Sequence, residues 1–423
     1  MKILHISYSL NEQSAGFQLA YAQAVHQGHD IHFLLARESS SPFISSKRIS
    51  PFLSGFLGFG SHLLDHLVNR LLLKSGEIFS MGIGLPFKNM IFERLIIKSK
   101  PDVVHVHWGG YGFIPATLLK SLSNNDTIRV VVTTHDYHYF TGGCHIPMDC
   151  PEHKNNCRTC PMSSGFLGMK WISQQRQQTK KNLLNSPIAF VSPSFYTASF
   201  IKATLGGINA QVIANTAGSI YALDNNALNQ NMELYAKYRA SNNNIPTLLV
   251  VGVKSSARQN KGSDILKELT TRMSSEGINF NLITVGEYID LNISGTHLHY
   301  NSQSIAELKQ LYAVADLCIV PSRFETFSQV TLESIQSATP VVAFDLTGPA
   351  DIIKDGVSGF LVKSFDMDEF CARVIENLNY KFTHQELMVR SALETAEQFS
   401  PDKIADLYQE IYRMTIAQPI IHA

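Results

Sequence analysis

PSRFETFSQVTLESIQSATPVVAFDLTGPADIIKDGVSGFLV, residues 321–362, decides the reading of this chain. Residues Asp316–Pro321, just ahead of it, have the apolar run of a buried strand, and Pro340–Phe344 within it reads as another. A loop and an apolar-periodic helix fill the space between. Thr326 and Gln329 have capping-box spacing, which starts that helix near Phe327. A helix that begins just after a strand offers free N–H groups and the positive end of its dipole, a place to hold phosphate. Glu325 then stands in the loop, and Glu333 one or two turns into the helix.

Working outward, the same strand–helix rhythm recurs on both sides. Lys2–Tyr8, Asp30–Ala36, Asp102–Trp108, Arg129–His135, Pro187–Pro193 and Gln211–Asn215 read as strands. Helical patterns lie between them at 88–100, 171–185 and 195–205. After an Asn-rich break the alternation resumes at Thr247–Val253 and runs through Ser263–Ser274, Phe280–Val285 and Ile305–Val314. Such alternation argues for parallel, doubly wound sheets. We expect an α/β chain with two Rossmann-like domains facing each other across a crevice, where ligands of open sheets bind. The expected division is 1–215, with inserts at 37–87 and 137–170; a linker region at 216–246, with room for one helix; a second domain at 247–399; and a C-terminal helix, 400–423, crossing back to the first.

Composition narrows the function. Of 423 residues, 44% are hydrophobic, enough for two cores, and 35 Lys+Arg balance 35 Asp+Glu, so no global field selects nucleic acid. The first residues, MKILHISYSL, lack the pattern of a signal peptide, and no stretch reaches the roughly 18–20 apolar residues of a spanning helix. A cytoplasmic protein is expected, with the cytoplasmic face of the inner membrane as a resting place. Phe43, Phe52, Phe56 and Phe59, with Leu53, Leu57, Leu63 and Leu64 near Lys47 and Arg48, suit either an interfacial, lipid-facing element or a buried helical hairpin.

With its strand end Pro-Ser, its Glu325-x7-Glu333 spacing, Ala-Thr-Pro-Val-Val and Asp-Gly-Val-Ser-Gly-Phe-Leu-Val, the 320–362 stretch resembles the retaining GT-B glycosyltransferases of family 4. The resemblance implies that Glu325 faces the donor sugar and Glu333 binds the ribose hydroxyls of a nucleoside-diphosphate sugar. Phe327 and Ser328 stand where the family has Phe-Gly, with backbone N–H groups toward phosphate. The basic loop Lys254-Ser-Ser-Ala-Arg258-Gln-Asn-Lys261-Gly262 suits a departing diphosphate, which needs cations where charge accumulates. The resemblance implies a pair there: Lys261 before Gly262 is one member, and Lys254 or Arg258 the other. Gly16 stands where the family brings backbone close to the donor, and is equally an ordinary turn. His135, in Thr134-His135-Asp136 at a strand end, is implied to lie against the donor hexose. His107 reads as packing. Asn215 is followed by Thr-Ala-Gly, not the family's turn, and nothing is carried over to it.

Cys144, Cys150, Cys157 and Cys160 cluster with five, six and two residues between them. A structural zinc is one reading, with His145 and His153 as spare ligands; free or disulfide-linked thiols are the other. A similar insert occurs in a subset of family-4 enzymes that build bacterial surface polysaccharides. Cys318 and Cys371 read as core residues. Catalysis is expected to need no metal cofactor.

The activity so implied is retaining transfer of a hexose from a nucleotide sugar to a glycan or lipid-linked acceptor held by the first domain. No carboxylate is placed as a nucleophile, so front-face attack is expected, with the leaving phosphate taking the acceptor's proton. A GT-B sugar-nucleotide epimerase and a non-catalytic sugar- or lipid-binding scaffold are the alternatives. A dinucleotide-dependent oxidoreductase is disfavoured, because the first loop lacks Gly-x-Gly-x-x-Gly.

Overall fold

A computed structural model describes residues 1–74, 80, 82–148, 150–217, 224–254, 259–363 and 365–417. The chain divides into two compact units, Met1–Ala214 with Asp402–Ala423, and Asn215–Pro401.

Unit 1 is a six-stranded parallel sheet: β1 (Lys2–Ser7), β2 (Asp30–Leu35), β3 (Val103–Trp108), β4 (Arg129–Thr133), β5 (Ile188–Ser192) and β6 (Gln211–Val212), in the order β2-β1-β3-β4-β5-β6. Its strands are nearly all apolar because helices cover both faces of a parallel sheet. The order reverses between β1 and β3, so the loops leaving those strands flank the switch point where open sheets bind ligands. The helix Pro401–Ala417 buries Ile404, Tyr408, Ile411 and Tyr412 in the core formed by Ile3, Leu19, Phe33 and Val131.

Unit 2 repeats the plan with β7 (Thr247–Val253), β8 (Asn281–Gly286), β9 (His297–Tyr300), β10 (Leu317–Val320), β11 (Val341–Phe344) and β12 (Gly359–Val362), in the order β12-β11-β10-β7-β8-β9, all parallel. Its switch point lies between β7 and β10. Within the stretch read as a linker, the helix Asn225–Ser241 packs on this unit. Arg239 reaches the buried Asp316, which also accepts from the Tyr235 hydroxyl and the Thr247 backbone N–H.

The 42–73 segment holds a short helix, Pro42–Ser46, and a long one, Pro51–Leu72. The long helix has inverted polarity. It buries Ser54, Gly58, Ser61, Asp65 and Asn69 with Leu57, and exposes Phe52, Phe56, Phe59, Leu63, Leu67 and Leu71, with Phe52 at 87% and Leu71 at 76%. Among the described residues no helix is long and apolar enough to cross a membrane.

Candidate active site

In unit 2 the loops that leave β7 and β10 are stapled together. The Lys261 ammonium lies 2.7 Å from Glu325 Oε1, both groups part-buried. Gly262 has φ +66°, and a Cβ there would meet the Pro321 carbonyl oxygen at 2.0 Å, so only glycine lets the turn sit this close. The Arg323 guanidinium grips Asp264 with two bonds of 2.8 and 2.6 Å, and its backbone N–H donates to the Asn260 carbonyl. The Glu325 backbone N–H donates to Thr347 Oγ1, and its carbonyl accepts from Gly348. A carboxylate and a cation are thus held at the switch point by four separate ties.

The helix after this loop runs Gln329–Gln336, two residues later than Thr326/Gln329 spacing suggests. Its N-cap is Ser328, whose Oγ accepts from Thr331 N. Ser328 does this at φ 88°, a left-handed conformation that a glycine takes at no cost and that stores strain in any other residue. The Phe327 side chain is core: it is 1% exposed and stacks edge-on to Phe399 at 6.0 Å. Any ligand role of Phe327 therefore falls to its backbone. Glu333 lies in the second turn, where the Tyr312 hydroxyl donates to Oε2 at 3.0 Å. Burial pushes its carboxyl up to about 7, against the opposing pull of that hydrogen bond. Lys254 pairs with Glu287 at 3.6 Å on an open surface. Arg258 lies outside the described residues.

In unit 1, His135 follows β4 and its Nε2 lies 3.1 Å from His107 Nδ1. His107 is fully partnered in the sheet, in accord with packing. Gly16 is buried at the start of the helix Ala15–Val25; a Cβ on it would stand 2.8 Å from the His107 ring, so the close approach it permits is to that ring. The next residue, Asp136, has a role the spacing did not show. It accepts from Trp108 Nε1, and each oxygen also takes one imidazole, His138 Nδ1 at 2.5 Å and His145 Nδ1 at 2.6 Å. Burial alone would raise its carboxyl, but the two imidazoles hold it well below the usual carboxylate range. His145, a spare zinc candidate by sequence, is thus committed to Asp136; His138 was missed because only the fold sets it on the same acid.

All four clustered cysteines are free thiols. They lie within electrostatic reach of one another, in an apolar nest with Leu73 and Ile172. His153, the other spare ligand, bonds through Nδ1 to the Cys150 carbonyl. Among the described residues, three potential ligand atoms converge within 4.8 Å only at His5/His105/His107 and at Asp136/His138/His145, and not at the thiols. A cavity of about 180 Å³ opens beside the loops after β3 and β4, lined by Asn89, Thr117, Gln175, Gln178 and Asn182.

Comparison with known proteins bears on this arrangement. Residues 245–379 match the family described as "Glycosyl transferases group 1". The D-inositol 3-phosphate glycosyltransferase of Mycobacterium marinum is 36% identical over 115 residues, 27% of this chain and 25% of that protein. The Saccharomonospora viridis enzyme of the same name is 31% identical over 129 residues, 30% of each chain. The chain thus spans between a quarter and a third of the length of these curated relatives. Among solved structures, the catalytic domain of starch synthase IV from Arabidopsis thaliana, bound to ADP and acarbose, aligns over 99% of both chains with a TM-score of 0.63 at 14% identity. Anabaena HepE in complex with UDP aligns over 98% of this chain and 100% of that one, with a TM-score of 0.59 at 17% identity. At these identities the likeness establishes the fold, which is GT-B.

Proposed function

We propose that this chain is a retaining glycosyltransferase that takes a hexose from a nucleoside-diphosphate sugar. The observation that carries the reading is the Lys261–Glu325 pair, held at the switch point of the unit that matches the glycosyltransferase family. A diphosphate arriving there offers Lys261 a second anion, and Glu325 is then released to accept hydroxyls of the sugar. Backbone N–H groups at the Ser328 helix start and the Lys261 ammonium stabilise negative charge on the leaving group. Glu333 takes the ribose hydroxyls, and His135 of unit 1 contributes to the hexose. The acceptor oxygen bonds to the anomeric carbon as the carbon–phosphate oxygen bond breaks, and the acceptor's proton passes to the departing phosphate. Replacing Lys261 or Glu325 by alanine is expected to lower kcat at least about 100-fold with the melting temperature preserved. Full activity in both variants overturns the reading. Sugar-nucleotide turnover with no acceptor present would favour an epimerase instead.

The amide- and hydroxyl-lined cavity of unit 1 supports a polyhydroxylated acceptor. The inverted Pro51–Leu72 helix supports an acceptor presented at an anionic bilayer. Its outward face carries three Phe and three Leu with Arg70, and its one carboxylate, Asp65, is on the buried side. Phe166 and Leu167, also exposed, follow the bridge Leu73–Ser163 at its end. Such a placement suits a lipid-linked glycan in surface-polysaccharide assembly. Replacing Phe52, Phe56 and Phe59 by Ser should abolish flotation with phosphatidylglycerol vesicles; unchanged flotation contradicts the placement.

Zinc on Cys144, Cys150, Cys157 and Cys160 belongs to the same proposal. Two features support it: N–H groups of Met162 and Ser163 aim at the Cys160 sulfur, and buried Arg176, beside Cys157, has Nε and one terminal nitrogen without a hydrogen-bond partner. A four-thiolate zinc carries net negative charge and would compensate that guanidinium. Bound sulfurs stand about 3.8 Å apart, so binding would draw these loops inward. Elemental analysis should find one zinc per chain, lost in Cys157→Ser; zinc-free protein of undiminished stability excludes the site.

A further inference from the structure

We propose that Gln23, anchored by Tyr412 of the C-terminal helix, is a positioning residue: through a directional chain of imidazole hydrogen bonds it sets the tautomer of His135 and makes Nδ1 of that ring a hydrogen-bond acceptor. The use of that acceptor for a ligand hydroxyl rests on the glycosyltransferase reading; the chain itself does not.

The chain is continuous. Gln23 Nε2 donates to the Tyr412 hydroxyl at 2.9 Å, which turns its Oε1 to His5 Nε2 at 3.1 Å. His5 Nδ1 meets His107 Nε2 at 2.9 Å, and His107 Nδ1 meets His135 Nε2 at 3.1 Å. Each contact between neutral rings needs one N–H and one lone pair. An amide oxygen can only accept, so His5 carries its proton on Nε2 and presents a bare Nδ1. His107 must then donate from Nε2 and present a bare Nδ1 in turn. His135 donates from Nε2, and its own Nδ1 is left with the lone pair. Turning the Gln23 amide over would reverse every bond and put the proton on His135 Nδ1. The donor or acceptor character of His135 is therefore decided three side chains away, at one amide.

The remaining contacts agree with this direction. The Tyr412 hydroxyl, having accepted from Gln23, donates to His105 Nδ1 at 2.7 Å, and His105 Nε2 then donates to Thr133 Oγ1, which also pairs with the Tyr408 hydroxyl. His5, His105 and His107 cluster as metal ligands do, but all six of their ring nitrogens already have hydrogen-bond partners, so a metal would have to break the chain. Burial keeps the rings neutral, as the argument requires: it lowers His5 to about 3 and His135 to about 4, and holds His105 and His107 well below 6.5. Gly16, flush against the His107 ring, leaves that ring no second position.

The test is long-range 1H–15N NMR of the full chain carrying ring-15N histidine at pH 7, with His107→Asn and His135→Asn used to assign signals. His5, His107 and His135 are all expected neutral with the proton on Nε2. In Gln23→Leu, His135 is expected to become a mixture of tautomers, with kcat/KM about tenfold lower, the scale of losing an orienting partner. A proton on Nδ1 of His135 in the unaltered protein, or a charged ring, overturns the proposal. So does a His135 spectrum unchanged in folded Gln23→Leu. If that variant does not fold, the unaltered protein's spectrum decides alone. If the chain transfers no sugar while the spectrum is as expected, the function reading fails and the relay stands.

Discussion

The two switch points share one topology and use opposite chemistry. In unit 2 the loops after β7 and β10 hold a charged pair, Lys261 and Glu325, part-exposed and joined only to each other at the charged ends. In unit 1 the strands β1 and β3 carry buried, neutral imidazoles whose ring nitrogens are already hydrogen-bonded. A charged pair near solvent can exchange its partner for a phosphate at modest cost, because water screens the intermediate separation. A buried neutral chain cannot release a partner without leaving an orphan, and so it is suited to orienting. The parallel sheet supplies the edge in both units; the side chains there decide whether that edge binds charge or sets direction.

That contrast can be broken first at Gly262. Alanine there collides with the Pro321 carbonyl and must take a left-handed φ, so the two loops of unit 2 should part. A loss of about 2 kcal/mol in denaturant unfolding, and of nucleotide binding, is expected. Gly262→Ala that binds nucleotide normally would show that the staple does not build the site.

Next comes Glu333, a carboxyl raised by burial to about 7. The folded state without ligand holds this proton to higher pH than the unfolded chain does. Stability from the protonated form is therefore present in acid and is lost as pH rises from about 4.5 through about 7. Nucleotide binding should run the other way, rising up to tenfold per pH unit toward 7 and levelling above it. Calorimetric titrations from pH 5.5 to 8.5 check this, and Glu333→Gln should flatten the profile.

The smallest effect is expected at Ser328. Ser328→Gly relieves the strain of φ 88° but loses the Oγ cap, for which glycine substitution costs only a few tenths of a kcal/mol. A net gain of about 0.5–1 kcal/mol is expected, read from the urea midpoint. A loss instead would mean that the cap outweighs the strain.

These features differed in how far the sequence displayed them. The unit 2 motif was legible because its residues are close in sequence or sit at fixed distances from strand ends. The helices Phe195–Leu205 and Ile305–Val314 fall where their apolar periodicity places them. Strand β9 was not read, because His297-Leu-His-Tyr300 at the sheet edge lacks an apolar run. The Pro51–Leu72 helix hid its orientation, since a periodic apolar face is ordinarily the buried one and here it is the exposed one. The imidazole chain was invisible: His5 and His107 are 102 positions apart and Gln23 and Tyr412 are 389 apart, so only the fold makes them neighbours.

The most direct test of the central claim is a thermal-shift panel of UDP-, GDP-, ADP- and dTDP-sugars on the unaltered chain and on Lys261→Ala, since a ligand of the folded state raises its melting temperature. At least one nucleotide sugar should raise the melting temperature of the unaltered chain, with the shift largely lost in Lys261→Ala. No shift with any of them, or equal shifts in both proteins, would contradict a donor site at the Lys261–Glu325 pair.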